Sequence, residues 1–318
     1  MSQVLSHAAA LSKPPDGKHR LSQQKRINWM WGYTFITPLV LGTLIFAVGP
    51  TLYAFYLSLT NWDGLSAQAA FIGFGNFAEL FTDPMVRMEF FNTLIYAICV
   101  VPITIAIAVV LANFLNSKIP ARTFFRVIFF LPLVTMPVAI ATVWRYLFNS
   151  ELGLVNVIMR LFGLNPQWLG DANWIMPALI IVAIWSGIAF ATIILIAGLQ
   201  GISTTYYEAA DIDGASAWYK FSRITIPLLS PSIFFLFVTS FISAFRVFDI
   251  IFIFIGGQQT ARGPVTNAIR TMAYGIYERG FTFNQMGYAA AQSVMLFLFI
   301  LAFTGFQFYM QRRTVFYE

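Results

Sequence analysis

Arg246 and Asp249 are opposite charges placed inside a long apolar stretch, three residues apart and therefore neighbours on a helix face. At mid-bilayer each such side chain costs about 2.5–3.5 kcal/mol on insertion scales, so the pair is expected to face a bundle interior. Its chemistry is that of a polar lining or gate on a solute path, or of a structural lock between helices. Trp185, Ser186, Tyr288, Gln292 and Ser293 add aromatic, hydroxyl and amide groups able to stack on or hydrogen-bond a sugar. Small and polar residues also mediate contacts between membrane helices, and these five fit that role as well. Catalytic sets are missing. Both histidines, His7 and His19, sit near the N-terminus, and the single cysteine, Cys99, lies in an apolar run. The remainder of the chain therefore builds neither a metal cluster nor a histidine-based dyad, and no enzyme activity is expected.

A second polar constellation spans Thr205 to Pro227. Thr205-Tyr206-Tyr207-Glu208 has the capping-box pattern, in which Thr205 accepts from the Glu208 backbone and Glu208 reaches back. Asp213-Gly214 supplies a turn, because glycine tolerates positive φ. Trp218, Phe221, Ile224 and Thr225 then share one face, with Lys220 and Arg223 on another. Pro227 opens the next apolar run. The segment reads as two short helices with a bend, a handle for a soluble partner. Glu208 taken alone is consistent with a simple helix cap, and the aromatic face with an interfacial position in lipid.

The elements that position these residues are membrane helices. The 318-residue chain is 58% hydrophobic and 10% charged, far below the roughly 25% charge of soluble domains. Its net charge of +6 is scattered in short groups between apolar runs, without the basic stripe that nucleic-acid binding needs. About 20 apolar residues cross a bilayer, and six stretches qualify: 31–59, 93–115, 124–147, 175–199, 227–255 and 288–310. Prolines 38, 50, 102, 132 and 137 predict kinks in or near several of them. Twelve Lys and Arg residues fall on the side of the termini and the handle, against six on the other. The positive-inside rule then makes both termini cytoplasmic. The fold class is all-α, a polytopic membrane protein with six transmembrane helices. Residues 1–26 read as a disordered tail, and residues 27–318 as one transmembrane domain with a cytoplasmic loop at 200–226. Loops 61–92 and 149–174 have room for short interfacial helices.

Glu208-Ala209-Ala210, three residues, Gly214, nine residues and then Ile224-Thr225-Ile226-Pro227 resembles the EAA loop of ABC importer permeases. Ile226 stands where the family usually has Leu. Phe71–Phe77, Val247–Asp249 and Gly287–Ser293 resemble the carbohydrate branch, which serves sugars and glycerol phosphates. The Gly-rich turn of that branch is lengthened here, at Gly256–Pro264. The resemblance covers the chain from Trp29 to Arg313 and implies an inner-membrane subunit of a bacterial or archaeal importer. Implied partners are a second permease, two copies of an ABC ATPase and an extracytoplasmic solute-binding protein, all in a lipid bilayer. Glu208, Ala209, Ala210, Gly214, Trp218 and Phe221 are then the ATPase-coupling residues. A phosphate-loop motif is absent from the sequence, so ATP belongs to the partner and no cofactor is expected in this chain. The rival reading is an ion-coupled carrier acting alone, for which one Asp beside an Arg is the only intramembrane support.

Overall fold

Long apolar runs leave the backbone no partner except itself, and helices result. The computed structural model describes residues 17–117, 120–256 and 263–314, and among them no strand forms beyond one isolated bridge between Thr60 and Phe71. Most of the turn expected at 256–264 lies outside the described residues. The chain divides into two compact units, Met1–Ala54 and Phe55–Glu318.

In the first unit α1 (Gly17–Thr43) runs through a π-helical turn, Leu44–Val48, into α2 (Gly49–Leu57), whose last three residues belong to the second unit. Helix is present from Gly17 onward, inside the segment read as a tail. The hydroxyls of Thr34, Thr37 and Thr43 donate to carbonyls four residues back at 2.8, 2.6 and 2.9 Å, which satisfies them without water.

The second unit continues with α3 (Gly75–Thr82), α4 (Pro84–Asn116), α5 (Arg122–Val134), α6 (Pro137–Leu147) and α7 (Leu154–Leu161). Then come α8 (Ala172–Gly201), α9 (Thr204–Ile212), α10 (Ala217–Lys220), α11 (Ile226–Leu228) and α12 (Ser230–Phe245). Last are α13 (Asp249–Phe254), α14 (Pro264–Ile269), α15 (Met272–Tyr277) and α16 (Met286–Thr314). The core forms where α4 and α8 pack together, and α12 closes on α4. Ala97, Ala108 and Ala112 on α4, with Ala178, Ala189 and Ala191 on α8, are fully or almost fully buried. Small residues of this kind let membrane helices approach closely.

Among the described residues four helices are long and apolar enough to cross a membrane: 23–57, 84–116, 172–201 and 286–311. The count rises to six if each of two bent pairs is one span. The expected third span, 124–147, is not one straight helix, because α5 and α6 meet at 106°. Thr135 and Met136 are extended there, as the residue before Pro137 is driven out of the helical region. At 1.5 Å per residue neither half alone reaches the ~30 Å hydrocarbon thickness. The expected fifth span is also interrupted. Helix α12 stops at Phe245, α13 starts at Asp249, and the α10–α11 segment meets α12 at 61°.

Two π-helical turns have one cause. Gly49 N–H donates to Leu44 five residues back, just before Pro50, and Ile226 N–H donates to Phe221 just before Pro227. A proline ring clashes with the carbonyl four residues upstream, and a widened turn relieves that clash.

Candidate functional site

The segment between α8 and α12 is a small self-supporting elbow. Ser203 caps α9, its Oγ accepting from Thr205 N–H at 3.3 Å. The expected cap at Thr205 is therefore displaced by two residues, and Glu208 does not close a capping box. Glu208 and Ala209 stand exposed while Ala210 is buried. Gly214 adopts φ +71°, Gly214 N–H donates to Asp211 and Ala215 N–H donates to Ala210. Those two bonds make a Schellman ending, which needs the left-handed conformation that glycine adopts freely. Ser216 then caps α10 by accepting from Tyr219 N–H at 3.2 Å.

Two side-chain contacts hold the arms of the elbow together. Tyr207 and Thr225 hydroxyls lie 3.0 Å apart, and Lys220 Nζ is 2.5 Å from Asp211 Oδ1. The aromatic face expected for the second arm divides. Trp218 is 74% exposed, whereas Phe221 is half-buried against the core and Thr225 is buried. Between the arms lies a cleft of about 730 Å³ lined by Tyr206, Ala209, Gly214, Ser216, Tyr219 and Arg223 among others. Exposed Ile212, Trp218 and Tyr219 give the elbow an apolar tip, the kind of surface that marks an interaction site.

A cavity of about 380 Å³ lies where α4, α8 and the α12–α13 break converge. Thr104, Ser186, Thr239, Ser240, Ser243, Arg246 and Asp249 supply its polar lining. Ser186 and Thr239 donate to their own helices, at 3.1 Å to Ala183 O and 2.8 Å to Phe235 O. The Thr104 hydroxyl is buried without a hydrogen-bond partner among the described residues. Arg246 caps the end of α12 and Asp249 begins α13, so they are not neighbours on one continuous helix. Neither forms an ion pair among the described residues, and both stand exposed at the cavity.

The other expected path residues lie elsewhere. Trp185 packs edge-on against Trp144 at 5.6 Å and does not line the cavity. The Ser293 hydroxyl donates to Ala289 O at 2.9 Å. Tyr288 and Gln292 belong to a buried charge cluster that joins the starts of α4 and α16 to the 264–282 segment. Arg279 Nη1 donates to both oxygens of Glu89, at 3.0 and 2.9 Å, and to Gln292 Oε1 at 3.0 Å. Gln292 Nε2 returns a bond to Glu89 at 2.8 Å, while Arg279 Nη2 and the Tyr288 hydroxyl reach Asp83 at 3.2 and 2.9 Å. Arg270 bridges Glu89 and Glu278. A Cβ on Gly275 would collide with the Glu89 carboxylate, so the close approach of α15 to this group requires glycine. Burial pushes the Asp83 carboxyl up, but the Met85 amide, the Tyr288 hydroxyl and Arg279 outweigh it and hold Asp83 below the usual carboxylate range.

Sequence reasoning missed this cluster. It placed Glu89 in a loop, counted Arg270 and Arg279 as loop cations, and treated Arg246 and Asp249 as the only opposed charges of a span. The only hint in the residues is that opposite charges, Arg270 and Glu278, stand eight positions apart among Met272, Tyr274, Ile276 and Tyr277.

A family described as the binding-protein-dependent transport system inner membrane component matches residues 89–316, from the cluster through the cavity and the elbow. The chain belongs to that family. Such proteins are permeases and not enzymes. The multiple sugar-binding transport system permease protein MsmF of Streptococcus mutans is 34% identical over 278 residues, covering 87% of this chain and 93% of its own length. The sn-glycerol-3-phosphate transport system permease protein UgpA of Pectobacterium atrosepticum is 32% identical over 294 residues, covering 92% and 97%. In fold the chain is similar to a crystal structure of a bacterial alginate ABC transporter in complex with alginate pentasaccharide-bound periplasmic protein. That likeness has a TM-score of 0.75 at 24% identity and covers 92% of this chain and 98% of the other.

Proposed function

We propose that this permease imports a sugar, an oligosaccharide, a polyol or a glycerol phosphate, delivered by an extracytoplasmic binding protein and driven by a separate ATPase. It pairs with a second permease chain and two ATPase copies in the cytoplasmic membrane of a bacterium or archaeon. Each bent helix pair counts as one span, giving six, and the excess of Lys and Arg supports cytoplasmic termini. The permease domain is 27–318 and its coupling loop is 200–226. The names of MsmF and UgpA support the solute class.

The elbow carries this reading. It is held rigid by its own caps and cross-contacts, follows α8 directly, and runs through α11 into α12. A motion imposed on its apolar tip therefore passes to two helices that line the cavity. Glu208, Ala209, Gly214 and Trp218 form the docking face, with Ala210 and Phe221 packed behind it. At about 380 Å³ the cavity is within the range of small-molecule sites. Its hydroxyls suit a polyhydroxylated solute, and Arg246 and Asp249, which form no ion pair among the described residues, can hydrogen-bond one.

Uptake by the reconstituted transporter tests the reading. Gly214→Pro cannot adopt φ +71°, and Glu208→Lys reverses a charge on the docking face. Both are expected to abolish solute uptake while membrane levels stay normal. Undiminished uptake in both would exclude coupling through the elbow.

A further inference from the structure

An apolar groove of about 330 Å³ opens on the second unit, away from both the cavity and the elbow. Its walls include Phe81 of α3, Val86 and Phe90 of α4, and Leu296 and Phe299 of α16, with Arg87 as its one charged lining residue. Val86 and Leu296 are buried, Phe90 packs edge-on against Phe299 at 5.0 Å, and Phe81 is 80% exposed. Both long walls, α4 and α16, are helices of membrane-spanning length and hydropathy.

Arg87 differs from the other two arginines of this region. Arg270 and Arg279 are buried on carboxylates, whereas the exposed Arg87 side chain has no hydrogen bond or ion pair among the described residues. It also lies in the first turn of α4, near one end of that span. A guanidinium beside an apolar groove calls for a ligand with a long apolar body and one negative group. A polar solute would leave the walls unfilled, and water cannot satisfy them.

We propose that the groove binds an acyl chain of an anionic phospholipid whose headgroup phosphate rests on Arg87. The walls supply van der Waals contact to the chain. The guanidinium, with its forked donors, holds the phosphate oxygens.

The test uses the purified transporter with its partner subunits, stripped of lipid and titrated with phosphatidylglycerol or phosphatidylcholine. Native mass spectrometry counts the lipid retained. Phosphatidylglycerol is expected to be held more tightly than phosphatidylcholine, and Arg87→Ala is expected to weaken its retention about fivefold, the worth of one basic contact at a membrane surface. Arg87→Lys restores the preference, and Leu296→Trp, which fills the groove, lowers retention of both lipids. Equal retention of phosphatidylglycerol by wild type and Arg87→Ala would overturn the assignment. So would a Phe81→Cys variant that crosslinks to the second permease chain, because a protein then covers the groove.

Discussion

The elbow and the buried charge cluster both tie separate helices together with polar side chains, yet they do so in opposite surroundings. Elbow contacts join residues close in sequence, nine apart for Lys220 and Asp211 and 18 apart for Tyr207 and Thr225, and its ion pair stands partly in water. The contacts that Glu89 and Asp83 make with Arg270, Arg279, Tyr288 and Gln292 join residues 181 to 205 positions apart, and Glu89, Arg270 and Gln292 are almost wholly shielded from solvent. An exposed pair gains little because water screens it. A shielded one leaves a costly bare charge when a partner is removed. The elbow therefore draws its shape from caps and a glycine, while the cluster depends on complete pairing.

The sharpest way to break this contrast is Glu89→Ala, which strips two buried guanidiniums of their shared carboxylate. A loss of about 3–5 kcal/mol is expected, seen as a collapse in the melting temperature of the detergent-solubilised protein. An unchanged melting temperature would mean that the cluster is not held as a unit. Gly214→Ala should cost about 1–2 kcal/mol through the left-handed backbone alone, since a Cβ there meets nothing within 4 Å. Partial uptake and faster amide exchange across 210–216 would report it, with the global melting temperature nearly unmoved.

A subtler effect is expected from acid. The folded Asp83 carboxyl titrates below its ordinary value, so its contribution is present above about pH 4, the unfolded carboxylate value. That contribution is lost as pH falls through the lower folded value. Wild type should thus melt above Asp83→Asn at neutral pH, and the gap should close on acidification. Smallest of all, Lys220→Met should change stability by less than about 1 kcal/mol, and the difference should shrink as salt is added. A larger loss would place this pair with the buried ones.

Much of the elbow was legible in residue types alone. Gly214 and Pro227 mark its turn and its exit, and alternation of apolar with polar residues gives its two arms. The cap was misplaced because Ser203, Thr204 and Thr205 all have capping hydroxyls, and only the backbone path decides which one stands outside the helix. Prolines announced bends without their angles. Pro137 yields 106° between α5 and α6, a value set by what those helices pack against. Arg246 and Asp249 were expected either to line a solute path or to form a structural pair; both line the cavity, and the pairing, assumed from an unbroken helix, fails because that helix ends at Phe245.

By itself the sequence determined that this is a helical membrane protein, where most of its long apolar segments lie, and that one polar elbow interrupts them. Those properties follow from hydropathy and from local backbone preferences, which act within a few turns of chain. Only the tertiary structure decided that Glu89 meets Arg270, Arg279 and Gln292, that Arg246 and Asp249 open onto one cavity, and that Arg87 has no ion pair among the described residues. Charge has a long reach in an apolar interior, so the choice among many compatible partners waits on which helices pack side by side.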